Sequence, residues 1–338
     1  MFSRPSAGKC ALKNDSATPR RIPTERNAGV HSSPLAARLL QQSDTVLAFG
    51  VSLNHFGTRA GHLFAPDVQI VRCDIDEAAL ARPRAALAFV GDAAATAEHL
   101  TAVLTARGHQ PTGWAGCHEV REIPVYRRED AFHDESGDGF VDTRSVMAQL
   151  DRQLPRDRAV VPETGHACGY ALDYLPCYLP RSSINAIDFQ AIGLGLAVAA
   201  GAAVARPDRI TVAVIGDGGV LMSAGELETL ARYRLPVLVL VLNDCAYGAE
   251  ARELERMGKP VDMACFPETN FAALGAAYDF TSISVRKPTD LVQLNAWIGA
   301  PDGPAIADCR IDVRHTADWF TEMVGSPDAY LRHPRPGF

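Results

Sequence analysis

Short apolar runs alternate with helix-length amphipathic stretches along most of this chain. Residues 44–50 (DTVLAFG) and 68–74 (VQIVRCD) are apolar runs of strand length bounded by polar or glycine residues, the pattern of buried strands. The patterning predicts helices over 34–42, 77–87 and 93–107, with a turn at Gly91-Asp92 between the last two. Pro83 counts against the middle one, because its ring and missing N–H disrupt a helix interior. Strand, helix, strand, helix implies a parallel sheet, with too few strands for a complete doubly wound domain.

A second series begins near Phe140. It reads as a helix over 145–154, a strand over 158–162 followed by a loop over 163–168, and a Gly/Ala-crowded helix over 188–205. Then come a strand over 210–215, a helix over 224–234 and a strand over 237–242. A helix over 271–277, a strand over 280–285, a helix over 288–298 and a strand over 305–311 complete it. The expected fold class is α/β: a partial Rossmann-like central domain, then a doubly wound parallel-sheet domain. The boundaries are an unstructured 1–32, a partial central domain over 33–107, a linker over 108–139, the second domain over 140–325 and a tail over 326–338.

Composition narrows the class. Charged residues make up 22% and the net charge is -7, which leaves no basic footprint for nucleic acid. The longest apolar run, 191–205, is too short to span a bilayer. The eight cysteines form no CxxC pair, so neither a zinc site nor a disulfide framework is indicated, and a reducing cytoplasm fits best. Residues 1–32 are rich in Arg, Lys, Ser and Pro without periodicity. A transit peptide and a non-native start both fit them, the second better because no amphipathic helix is visible.

The chemistry concentrates between 210 and 250. A strand runs into Gly216-Asp217-Gly218-Gly219, a helix follows, and a second strand ends at Asn243-Asp244. This is a βαβ unit, whose ligands bind outside the strand C-termini. Two carboxylates there, on neighbouring strands, supply hard oxygen ligands for Mg²⁺, with open positions for phosphate oxygens. The amides of Gly218 and Gly219 could receive those phosphates. A lone GDG occurs by chance, and by itself it would leave Asp217 and Asp244 as loop and cap residues.

The whole segment, however, resembles the magnesium and diphosphate motif of thiamine-diphosphate enzymes, the acetolactate synthase and benzoylformate decarboxylase branch in particular. That motif runs from GDG to a polar pair, usually Asn-Asn. The resemblance implies Asp217, Asp244 and the backbone carbonyl of Ala246 as metal ligands, with Asp at 244 a departure from the usual Asn. Tyr247 and Gly248 resemble the family's following turn, and Glu226-Leu227 its intervening helix. Residues 160–170 (VVPETGHACGY) resemble the diphosphate wall, which places Gly165 and His166 beside the cofactor; a solvated loop histidine is the alternative. Residues 187–195 (IDFQAIGLG) resemble the glycine-rich cofactor helix. There Ile192 would bend the cofactor and the Gln190 carbonyl would meet its aminopyrimidine; without the resemblance Ile192 reads as plain core. In the first series, 47–54, 71–76 and 90–92 resemble the second half of the family's central domain, with Asp74 and Asp76 structural and FAD unlikely.

The family's pyrimidine-binding domain, which carries the glutamate that activates the aminopyrimidine, has no counterpart in these residues. Glu163, Glu226 and Glu250 are nearby acids outside any matching domain, and no catalytic residue is assigned. The resemblance implies a thiamine-diphosphate- and Mg²⁺-dependent decarboxylase or carboligase acting on a small 2-oxo acid. It would work as a homo-oligomer or with a separate pyrimidine-domain subunit. A catalytically silent fragment that binds cofactor or paralogous subunits is the alternative. A nicotinamide dehydrogenase is disfavoured, because no GxGxxG follows a predicted strand.

Overall fold

The computed structural model describes residues 29–81, 85–110, 126–166, 168–187, 189–312 and 315–323. The unstructured start (apart from 29–32), the middle of the linker and the tail expected from sequence therefore lie outside the described residues. Two compact units divide between Tyr126 and Arg127.

The first unit is a three-stranded parallel sheet in the order β1-β2-β3, with β1 Thr45–Phe49, β2 Gln69–Asp74 and β3 Leu87–Val90. Helix α1, Pro34–Gln41, is capped by Ser33, whose side chain accepts from the Ala36 amide, one of the donors a helix start leaves unsatisfied. Ala37, Ala48, Leu63, Phe64 and Ile70 form its small core. Helix α2, Ala93–Ala106, is capped by Asp92. The helix expected over 77–87 is a correction: among its described residues Ala78–Ala81 turn as a 3-10 helix, and Leu87 opens β3. Pairing of Leu87–Val90 with β2 satisfies the backbone in a way the helical propensity of that segment does not reveal.

The second unit is a five-stranded parallel sheet in the order β4-β5-β6-β8-β7. Its strands are β4 Arg158–Pro162, β5 Ile210–Gly216, β6 Val237–Asn243, β7 Thr281–Val285 and β8 Ala305–Arg310. β6 is buried at every position, as a parallel strand covered on both faces must be. The helices are α3 Thr143–Gln153, α4 Cys168–Tyr174, α5 Gly195–Ala205, α6 Asp217–Ser223, α7 Glu226–Arg232, α8 Gly248–Arg256, α9 Phe271–Ala276, α10 Asn295–Gly299 and α11 Asp318–Met323. One core cluster joins Leu196, Ala199 and Ala203 of α5, Ile215 of β5, Leu227 and Leu230 of α7 and Val239 of β6.

The second unit departs from the sequence expectations in several places; the helix expected over 288–298, for one, is 3-10 over Pro288–Leu294. The helix expected over 188–205 begins only at Gly195. Before it, Gln190 and Gly193 take positive φ angles of 55° and 88°, which an α-helix does not accept. The glycines after β5 are not a loop but the first turn of α6. A helix not foreseen, α8, follows directly on Gly248. Cys73, Cys177, Cys245, Cys265 and Cys309 are free thiols. Among the described residues no helix is long and apolar enough to cross a membrane.

Candidate functional site

The site is built at the C-terminal ends of β5 and β6. These strands are neighbours in register, with Gly216 opposite Leu242, so the residues that follow them, Asp217 and Asp244, line one pocket. Asp217 is buried. Its Oδ1 accepts from the Gly218 amide at 2.8 Å, and its Oδ2 is buried without a hydrogen-bond partner among the described residues. Burial and then the charge of Asp244 push its carboxyl up to about 7, against the opposing amides of Gly218, Cys245 and Ala246. A buried carboxylate oxygen left without a donor is costly. A cation would satisfy it.

The two residues of the polar pair have separate tasks. Asn243 is fully buried and donates to Asp308 at 2.9 Å and to the Thr269 carbonyl at 3.0 Å, tying the end of β6 to its surroundings. Asp244 faces the pocket and pairs with Arg252 of α8, Nη1 to Oδ2 at 3.3 Å. Burial raises the Asp244 carboxyl, and the Arg252 charge opposes that rise. Cys245 then takes a φ of 58°, and Ala246 pairs antiparallel with Cys265. Tyr247 packs edge-on against Phe266 and covers Gly218, where a Cβ would stand 2.6 Å from its ring. A side chain at 218 would therefore collide with the wall of the pocket.

Glu163, the first residue after β4, was read from sequence only as a nearby acid, and the structure makes it an organiser of the site. Its Oε1 accepts from the amides of Gly193 at 2.9 Å and Gly195 at 2.8 Å. It thereby fixes the turn that presents Ile192 to the pocket and starts α5. Its Oε2 is buried without a partner among the described residues and lies against Gly219, where a Cβ would sit 1.8 Å from it. Burial raises its pKa, partly offset by the amides of Gly195, Gly193 and Leu194. The signal that could have found it is a carboxylate at a strand C-terminus followed by a turn glycine, Gly165, with a φ of 113°.

His166 is buried, and its Nε2 accepts from the Ala317 amide at 2.8 Å. Burial, then the charge of Arg252, depresses its pKa well below 6.5. It is a neutral residue packed against Tyr170 and Phe320, and not the solvated loop histidine left open as the alternative. The pocket thus brings together Gly165, His166, Ile192, Gly216, Asp217, Gly218, Gly219, Asp244, Ala246, Tyr247 and Gly248. Gln190 stands exposed on the preceding turn and does not line it. Glu250 is in the pocket wall, and Glu226 sits in the first turn of α7.

Residues 163–309 match the family described as "Thiamine pyrophosphate enzyme, C-terminal TPP binding domain". Residues 11–100 match the same family's central domain. The chain belongs to the thiamine pyrophosphate enzyme family. The pocket described above lies mostly within the C-terminal match and uses the ends of the strands that this domain contributes. Among its relatives, acetolactate synthase isozyme 3 large subunit of Escherichia coli K12 is 27% identical over 271 residues, 78% of this chain and 46% of that protein. The isozyme 2 large subunit of the same organism is 28% identical over 288 residues, 84% and 50% respectively. Human 2-hydroxyacyl-CoA lyase 1 is 30% identical over 305 residues, 83% and 52%. The chain spans about half the length of the relatives it matches.

Proposed function

We propose that this chain holds Mg²⁺ and the diphosphate of thiamine diphosphate for a 2-oxo acid decarboxylase or carboligase resembling acetolactate synthase. The observation that carries the reading is the unpartnered Oδ2 of buried Asp217, in one pocket with Asp244 and Ala246. Among the described residues there is no cluster of three or more His, Cys, Asp or Glu side chains suited to a metal ion. Two carboxylates and a backbone carbonyl make an incomplete set for a protein-only cage. They suit an ion that takes its remaining oxygens from phosphate and water, which is the preference of Mg²⁺.

On this reading Asp217, Asp244 and the Ala246 carbonyl hold the cation, and the amides of Gly218 and Gly219 receive diphosphate oxygens. Gly165 and His166 form the opposite wall, Gly216 and Gly248 admit close approach, and Tyr247 closes the side over Gly218. Ile192, held by the Glu163-bound turn, supports the bend of the cofactor, and Gln190 meets its aminopyrimidine end. Thiamine diphosphate, when bound, supplies the nucleophilic carbon and the electron sink for cleaving a bond next to a carbonyl. The aminopyrimidine is proposed to be engaged by a pyrimidine-binding domain on another polypeptide segment, in a homo-oligomer or a mixed assembly.

Calorimetric titration with thiamine diphosphate, with Mg²⁺ and then with EDTA, tests the reading. Saturable binding that needs Mg²⁺ and disappears in Asp217→Ala is expected. A folded protein that binds no thiamine diphosphate with Mg²⁺ present would sink it. Binding without turnover of any 2-oxo acid, even with a pyrimidine-domain chain added, would favour the catalytically silent alternative.

A further inference from the structure

Two buried carboxylates share a pocket that, on the reading above, also receives a diphosphate. Magnesium with two ionised carboxylates carries no net charge, so it presents nothing electropositive to an incoming anion. Arg252 changes that balance. Its side chain is 8% exposed and that of Asp244 is 6% exposed, so the pair is largely removed from water, where charge interactions are strongest. Nη1 donates to Asp244 Oδ2 at 3.3 Å and to the Gly248 carbonyl at 2.8 Å. Nη2 donates to the His315 carbonyl at 2.9 Å, and Nε to Thr316 Oγ1 at 3.3 Å. The guanidinium is thus held from both sides, by the start of α8 and by 315–316, with one edge turned to Asp244. Gly248 leaves room for the pair: a Cβ there would stand 2.6 Å from Asp244 Oδ2 and 2.8 Å from Arg252 Nη1.

We propose that Arg252 is a positioning and charge-balancing residue of the diphosphate site, pairing with Asp244 so that the aspartate acts as a net-neutral oxygen ligand. The inference rests on the cofactor reading, and it concerns the electrostatics of the bound anion. A guanidinium suits the task because it stays charged and keeps its donors in a fixed fork. Removing it takes from Asp244 the guanidinium that pairs with it and leaves only the weaker influence of Arg310, whereas removing both charges restores the balance.

The test uses inorganic diphosphate with saturating Mg²⁺ as the probe, read by calorimetry on the full chain. Arg252→Met should weaken binding about tenfold or more, the scale of a lost buried charge partner. Adding Asp244→Asn to it should bring affinity back to within about threefold of wild type. A role limited to bracing 315–316 predicts the opposite for the double variant, since Asn at 244 restores none of those contacts. Arg252→Met at wild-type affinity, or a double variant as weak as the single one, overturns the proposal. Should Arg252→Met not fold, the double variant alone decides. It supports the proposal at near wild-type affinity, and it overturns it if it fails to fold or binds more than tenfold weaker. A wild-type chain that binds no Mg²⁺-diphosphate fails the cofactor reading instead, so the two failures are distinguishable.

Discussion

Strand β6 of the second unit and strand β3 of the first are both short, apolar and parallel, yet one is buried at every position and the other exposed at every position. Leu238 and Leu240 of β6 are fully buried, while Leu87 and Val90 of β3 are more than half exposed. The difference follows from layering. β6 lies at the centre of five strands, with α5, α7 and Phe271 in the same core cluster. β3 is the edge of three strands, and no residue of α2 is buried. A site that must hold two carboxylates out of water needs the first kind of strand. Its end is fixed by backbone pairing on both sides and by a core that resists deformation.

The largest effect should come from emptying the fully buried Leu240 position of β6. Leu240→Ala should cost about 2–5 kcal/mol in urea unfolding, and a cost under about 1 kcal/mol would mean the site does not rest on a packed centre. Next is the turn at Gly193–Gly195. Glu163→Ala strands two amides and should cost about 2–3 kcal/mol. Glu163→Gln, which keeps an acceptor and loses the buried charge, should stay within about 1 kcal/mol of wild type. Equal losses in the two variants would remove the assigned role of Oε1.

A smaller effect is pH-dependent. His166 has a depressed pKa in the folded protein, so the unfolded chain binds the extra proton first. Its contribution is fully present above about pH 6.5 and is lost as pH falls below that value, by up to about 1.4 kcal/mol per unit. Urea midpoints between pH 7.5 and 5.5 should fall less in His166→Gln than in wild type, and equal falls would place the dependence elsewhere. The smallest effect belongs to the first unit. Leu87→Ala should change stability by about 0.5 kcal/mol or less, and a core-sized loss would show that β3 is covered in solution.

Legibility of the sequence followed the same division. Seven of the eight strands were readable, most of them as apolar runs that end at glycine, proline or a polar residue. β3 was not: the helix expected over 77–87 runs into its first residue, and only the resemblance at 90–92 hinted at a strand end before pairing with β2 was seen. Asp217 and Asp244 were readable because a strand running into GDGG and another into Asn-Asp is a distinctive order of residues. The partners of Glu163 and Arg252 were not, because neither residue belongs to a periodic pattern. Glu163 finds its partners 30 and 32 residues away, and Arg252 meets Asp244 across a turn that requires a positive φ at Cys245.

By itself, then, the sequence determined the α/β class, the order of most of the elements, the family and the two acids that stand at the strand ends. The class and the elements follow from local composition and short-range spacing, and the family from the resemblance of whole motifs, all of which the linear chain carries. Only the tertiary structure decided that Asn243 anchors while Asp244 faces the pocket, and that α5 starts at Gly195 because the turn before it is pinned by Glu163. It also decided that His166 is a buried neutral acceptor, and that Arg252 stands against Asp244. Each of these depends on which groups are removed from water together, and that is set by packing between segments far apart in the chain.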